Sequence, residues 1–290
     1  MTVSIAIIAF ILALGMTLYP LIGSWYNEQH QSEIHIQYQE EVEDAEESAI
    51  QQAKRSAIAY NEAIIPGVQM EETFTQDALL QAAMGYESQL NLTGNGMMGY
   101  VNIPSIDVML PIYHGTDDKT LERGVGHLLG TSLPVGGNST HTVLTAHSGM
   151  ASQKLFSDLP QMQLGDVFYL EVLGETLAYQ VDQIKTVLPY DTTYLGITEG
   201  EDHCTLVTCT PFGINTHRLL VRGSRIPYEE AEQQKENTIT KEPQISHWEK
   251  EYIRGLCMGA GFVAFVSMTV VCIRTIRKKR LRHKKEVDTQ

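Results

Sequence analysis

Residues Cys204–Gly223 read CTLVTCTPFGINTHRLLVRG. Two β-rich runs, Cys204–Thr208 and Arg218–Arg222, flank a Pro-Phe-Gly loop, so the stretch predicts two strands joined by a turn. Cys209 falls where the first strand ends and the loop begins. Arg218 falls where the second strand starts. Cys204 lies five residues from Cys209, an odd spacing that puts the two thiols on opposite faces of one strand. At the rise of an extended chain they are also about 16 Å apart, too far for a disulfide.

Similar short runs lie upstream. Tyr100–Ile103, Val108–Tyr113, Thr142–Ala146, Val167–Val172 and Leu177–Val181 are separated by Gly, Pro, Asn and Asp. Many short strands within about 130 residues predict a mainly β fold closed into a barrel. Short helices fit near Lys119–Glu122 and Lys154–Leu159. The region 97–227 is therefore the expected barrel domain. Before it, Ser24 to about Tyr60 reads as one helix, without Pro or Gly and with an apolar stripe at Tyr38, Val42, Ala45, Ala49, Ala53, Ala57 and Tyr60. Its other faces carry Glu40, Glu41, Glu43, Asp44, Glu46 and Glu47, which predicts a solvated acidic helix lifting the barrel off a membrane. Ile65-Pro66-Gly67 breaks the helical pattern. A further short helix fits around Ala78–Ala83, and 24–96 is expected as one helical region with a candidate lid at 61–96. Residues 228–252 read as an acidic tether.

The chain has 290 residues, 35 Asp and Glu against 21 Lys and Arg, and a net charge of −14. That balance excludes a basic nucleic-acid-binding face. Four Cys in a chain of this length exclude a disulfide scaffold. The charge is unevenly spread. Residues 274–290 hold eight Lys or Arg and two Asp or Glu, a surplus of six positive charges, which leaves −20 on the rest. Immediately before this basic block, Gly255–Ile273 is a run of 19 uncharged residues, and Val3–Ile22 is another of 20. Each is long enough to span a hydrocarbon core of about 30 Å as a helix. No basic region precedes the first run and no small-x-small cleavage site follows it, so it reads as an anchor and not a cleaved leader. Basic residues stay cytoplasmic. The expected topology is an anchor at 1–23, an extracytoplasmic region, a second span at 253–273 and a basic cytoplasmic tail at 274–290, with both termini inside. An outward-facing domain without an evident disulfide points to a Gram-positive cell surface.

Three residue types at strand ends carry the chemistry. Cys209 ends one strand, His147 follows another before Ser148-Gly149, and Arg218 opens a third. A thiol, an imidazole and a guanidinium are the parts of a thiol acyl-transfer site. Thr208 is a supporting polar contact beside the nucleophile. Cys204 reads as a packed core thiol. His114, His127, His141, His203 and His217 read as surface or structural. No metal-ligand spacing is present, and neither metal nor cofactor is expected.

Thr205-Leu-Val-Thr-Cys209 resembles the TLxTC signature of the sortases. The continuation through Arg218-Leu-Leu-Val-Arg-Gly223 is similar to the pilus-building class C sortases, and Thr145-Ala-His147-Ser-Gly149 resembles their His motif. The likeness extends to Gly124-Val-Gly-His-Leu, to Ser132-Leu-Pro-Val-Gly-Gly-Asn138, to Tyr19-Pro-Leu-Ile with Trp25-Tyr-Asn, and to the second span with its basic tail. It thus covers most of the chain, and the second span favours class C over class A. Two positions depart from the family. Ala146 stands where Gly is usual, and Ser148 where Arg or Thr is frequent. No Asp-Pro occurs anywhere, so the Asp-Pro-aromatic plug of many class C lids is absent.

The resemblance implies a membrane-bound cysteine transpeptidase acting on pilins or surface proteins with LPxTG-like signals. Cys209 would form a thioester at the Thr carbonyl and release the Gly end. His147 would serve as general acid and then base, and Arg218 as a hydrogen-bond donor to the substrate carbonyl or oxyanion. The acceptor would be a Lys of another pilin subunit, with a peptidoglycan amine as the alternative. The rival of another class is a membrane-tethered scaffold that holds pilus subunits, for which Cys209, His147 and Arg218 would be superfluous.

Overall fold

A computed structural model describes residues 2–63, 85–92, 94–148 and 153–239, together with 250, 252–261, 263, 265, 268 and 269. Residues 1–244 form one compact unit and 245–290 a second. In the second unit residues 252–261 are helical. The helix expected around Ala78–Ala83 lies outside the described residues, as does the tail from 270 onward. Among the described residues no helix is long and apolar enough to cross a membrane.

Eight strands close a barrel in the order β1-β2-β3-β4-β7-β8-β6-β5, among the described residues. They are β1 (Met97–Ile103), β2 (Val108–His114), β3 (Val125–His127), β4 (Thr140–Thr145), β5 (Val167–Val172), β6 (Glu175–Val187), β7 (Asp202–Thr210) and β8 (His217–Ile226). The pairs β2–β3 and β4–β7 are parallel and the rest antiparallel. Seven of the strands match the expected runs. β3 is the addition, three residues long, paired with β2 from Ile112 to His114. Its parallel partner demands a crossover, and the short helix α3 (Asp118–Arg123) supplies it. Asp117 starts that helix by accepting from the backbone N–H groups of Lys119 and Thr120 at 2.9 and 3.2 Å.

The barrel is filled by alternating side chains. Val101, Ile103, Ile112, Leu144, Phe168, Tyr179, Cys204, Leu206 and Val221 are all fully enclosed. Gly223 lies against the Phe168–Tyr179 stack. A Cβ there would sit 2.7 Å from Phe168 Cε1 and 3.0 Å from Tyr179 Cβ. At Gly99 a Cβ would lie 2.3 Å from the Glu171 carbonyl oxygen, so β1 and β5 need a residue without a side chain at that crossing.

The N-terminal region departs from the single solvated helix expected over 24–60. It forms α1 (Thr2–Glu43) and α2 (Glu47–Ala63), with a break at 44–46. The break falls inside the acidic run Glu40–Glu47, where like charges three and four residues apart disfavour helix. Much of the stripe is packed and not solvated. Tyr38 and Val42 pack with Met97, Tyr100 and Tyr113, while Ala57 enters the main core. Asn61 is buried and holds both backbone groups of Leu133: its amide donates to the carbonyl at 3.1 Å, and its oxygen accepts from the N–H at 2.7 Å. Leu173 N–H donates to the Tyr38 hydroxyl at 3.1 Å. These helices are therefore part of the barrel's packing.

Two smaller expectations are also revised. Lys154–Leu159 is a turn that passes into a 3-10 segment at Leu159–Gln161. Its Pro160 has no N–H to continue an α-helical ladder. The first half of the expected acidic tether is the helix α4 (Tyr228–Ile239). Ala231 buries its methyl against Val167, Tyr169 and Ala178, which holds that helix on the barrel. Residues 240–249 of the tether lie outside the described residues.

Candidate active site at one end of the barrel

Parallel pairing brings the C-terminal ends of β4 and β7 together. Thr145 stands opposite Val207, and one residue further on Ala146 N–H donates to the Val207 carbonyl at 3.1 Å. His147 follows directly, and Cys209 is two residues beyond Val207. On the other side of β7, Cys209 is the register partner of Arg218 on β8. Arg218 in turn pairs with Val187 at the end of β6. His147, Cys209 and Arg218 thus come from the same end of three consecutive strands, although 71 positions separate the first from the last in the sequence. All three are half-buried.

Backbone and hydroxyl contacts hold this end together. Thr208, expected as a supporting contact, is buried and its hydroxyl donates to the Ala146 carbonyl at 2.8 Å. The Ser148 hydroxyl donates to the Cys209 carbonyl at 2.7 Å. Phe156 N–H donates to the His147 carbonyl at 3.1 Å. Arg218 Nη1 donates to the carbonyls of Asn215 and His217 at 3.3 and 3.1 Å. Those bonds fasten the guanidinium to the β7–β8 turn and leave further N–H groups for a substrate oxygen. The turn itself starts with a cis Thr210–Pro211 bond.

The other candidate groups are separate from this end. Cys204 is enclosed, and burial pushes its thiol well above the usual range, with Asp202 adding to the effect. It is a core residue and not a nucleophile. His127 is buried, and its ring lies 2.8 Å from the Tyr86 hydroxyl and 2.9 Å from the Ser132 carbonyl. His141 is buried between the Gly196 carbonyl at 2.8 Å and the Thr205 hydroxyl at 2.7 Å. Burial lowers both imidazoles to about 4. His114 is also buried, with its ring nitrogens 2.9 and 2.8 Å from the carbonyls of Gly96 and Gln89. These histidines hold loops in place. Among the described residues no group of three His, Cys, Asp or Glu could hold a metal ion. Ser148 is the member of this end to which no function was assigned from sequence. The only signal was its position immediately after the His, where it departs from the motif.

A closed eight-stranded barrel that gathers a thiol, an imidazole and a guanidinium at one end defines a recognisable class of fold and site. Residues 101–226 match the family model described as the sortase domain. Sortase C1 from Streptococcus agalactiae is 44% identical, with a TM-score of 0.61, and the match covers 67% of this chain and 98% of that one. A Streptococcus pneumoniae sortase C, whose structure is described as informing catalysis and pilin substrate specificity, is 44% identical with a TM-score of 0.58, covering 68% and 97%. Sortase D from Bacillus subtilis is 29% identical over 131 residues, which is 44% of this chain and 63% of the relative. The chain spans less than two thirds of the length of each curated relative it matches. The chain belongs to the sortase family of cysteine transpeptidases, and its solved neighbours support the class C reading.

Proposed function

We propose that this protein is a membrane-anchored class C sortase that joins pilin subunits. The Cys209 thiolate attacks the Thr carbonyl of an LPxTG-like signal, and Arg218 donates hydrogen bonds to the developing oxyanion. His147 gives a proton to the departing Gly amine and later takes one from the incoming amine. That amine is a Lys of the next subunit, so the thioester is exchanged for an isopeptide bond. The observation that carries the reading is the register pairing of Cys209 with Arg218 beside the end of β4. The pilin acceptor is supported by the class C neighbours, one of which is described in terms of pilin substrates.

The location belongs to the same proposal. The enzyme is a two-pass protein with both termini cytoplasmic and the barrel outside. Support comes from the uncharged runs 3–22 and 255–273 and from the basic block that follows the second. The first run is helical as part of α1. Membrane lipid is thus a partner, and the pilins are substrates presented on the outer face.

Incubation with a sorting-signal peptide tests the chemistry. The expected result is a thioester adduct on Cys209 by mass spectrometry, and none in Cys209→Ala. Polymer formed by that variant would refute the nucleophile. Offering pilin Lys and a cell-wall stem peptide together then separates the acceptors. Transfer only to the stem peptide would make the protein a cell-wall-anchoring enzyme.

A further inference from the structure

The regular ladder between β4 and β7 ends at the Ala146–Val207 bond. His147 and Cys209 both lie past that point, where among the described residues no backbone bond joins the two strands. Two side chains take over. Thr208 reaches from β7 to the Ala146 carbonyl, and Ser148 reaches back from the end of β4 to the Cys209 carbonyl. The two bonds run in opposite directions and bracket the His–Cys pair. The Ser148 bond, at 2.7 Å, is the one that ties the residue after His147 to the main chain of the nucleophile itself.

We propose that Ser148 is a positioning residue for the His147–Cys209 pair, an inference that rests on the transpeptidase reading above. Its hydroxyl does not touch the substrate. It prolongs the parallel pairing by one step, so that imidazole and thiol keep a fixed separation through acylation and aminolysis. Reacting groups displaced by about 1 Å lose on the order of a hundredfold in rate. Removal of one of several constraints at this end should cost less, about tenfold.

The test uses the full chain in detergent and compares wild type, Ser148→Ala and Ser148→Thr. Two readouts are taken: kcat and KM on a fluorogenic sorting-signal peptide, and the pH profile of iodoacetamide alkylation at Cys209, followed by peptide mass spectrometry. Ser148→Ala is expected to lower kcat about tenfold with little change in KM. Its alkylation profile should differ from that of wild type, and Ser148→Thr should restore both. The alkylation readout needs no substrate. A wild type that alkylates but never processes the peptide sinks the transpeptidase reading and leaves Ser148 still measurable. An unchanged profile and kcat in Ser148→Ala, with or without a drop in melting temperature, overturns the positioning role. If Ser148→Ala does not fold, Ser148→Thr is compared with Ser148→Val, which has the same shape without the hydroxyl. Equal profiles in those two overturn the proposal.

Discussion

Acidification should destabilise this barrel by an amount that can be assigned to single histidines. His127 and His141 are enclosed and neutral, with burial holding each folded-state value at about 4 against an ordinary 6.5. The unfolded chain therefore binds protons that the folded chain refuses. Stability is complete above the unfolded value and is lost as pH falls through the window from about 6.5 to about 4. Between pH 7 and pH 5 the loss is about 2 kcal/mol per histidine, or about 4 kcal/mol for the pair. His203 is shifted down as well, chiefly by burial and by Arg222, and acts in the same sense. Burial would raise the Asp182 carboxyl, but its bonds to Arg222 outweigh that and keep it low. It stays ionised between pH 7 and pH 5 and contributes little over that interval. Urea unfolding at a series of pH values, followed by near-ultraviolet circular dichroism, gives the slope. In His141→Gln, which can still donate to the Gly196 carbonyl, the loss between pH 7 and 5 should shrink by about 2 kcal/mol. An identical loss in His141→Gln and wild type would refute the assignment.

Further outcomes follow from the packing and the site. Arg218→Lys keeps the charge but loses the planar fork, so most transpeptidation should disappear while the melting temperature holds. Wild-type rates in that variant would make Arg218 structural. Asn61→Ala orphans the buried N–H and carbonyl of Leu133 and should cost about 2–4 kcal/mol in urea unfolding. The neighbouring exposed Glu62→Ala should be close to neutral. Gly223→Ala drives a methyl into Phe168 and Tyr179 and should cost about 1–3 kcal/mol. A neutral result there would mean that the aromatic stack shifts freely.

The barrel was legible because its strands are short runs rich in β-forming residues, punctuated by Gly, Pro, Asn and Asp, a pattern that survives in a single sequence. β3 escaped because three residues, Val125–His127, are too few to show a period. The N-terminal helices were legible as helices but not as packing. Tyr38, Val42 and Ala57 gave the correct stripe, yet the surrounding Glu residues made it look solvated. Nothing in the local sequence shows that β1 and β2 present Tyr100 and Tyr113 to receive it. Asn61 illustrates the same gap. A polar residue at the end of a helix looks like solvent-facing chain, and only the tertiary contact with Leu133, 72 residues away, gives it a role.

The site shows where sequence reading stops for a geometric reason. His147, Cys209 and Arg218 could each be assigned to a strand end, but strand ends converge only if the pairing has the correct sense. β7 and β8 are joined by a short turn, so their antiparallel pairing, and with it the Cys209–Arg218 contact, was implied by the Pro-Phe-Gly loop. β4 and β7 are separated by two further strands, and nothing local decides between parallel and antiparallel. Antiparallel pairing would put the end of β4 at the start of β7, roughly 20 Å from Cys209 at the rise of an extended chain. The parallel register from Thr140–Asp202 to Thr145–Val207 removes that distance. The crossover that makes this possible runs through β5 and β6 on the far side of the barrel. The placing of His147 beside Cys209 therefore depends on the whole closed sheet, and the two hydroxyls of Thr208 and Ser148 act only on its last step.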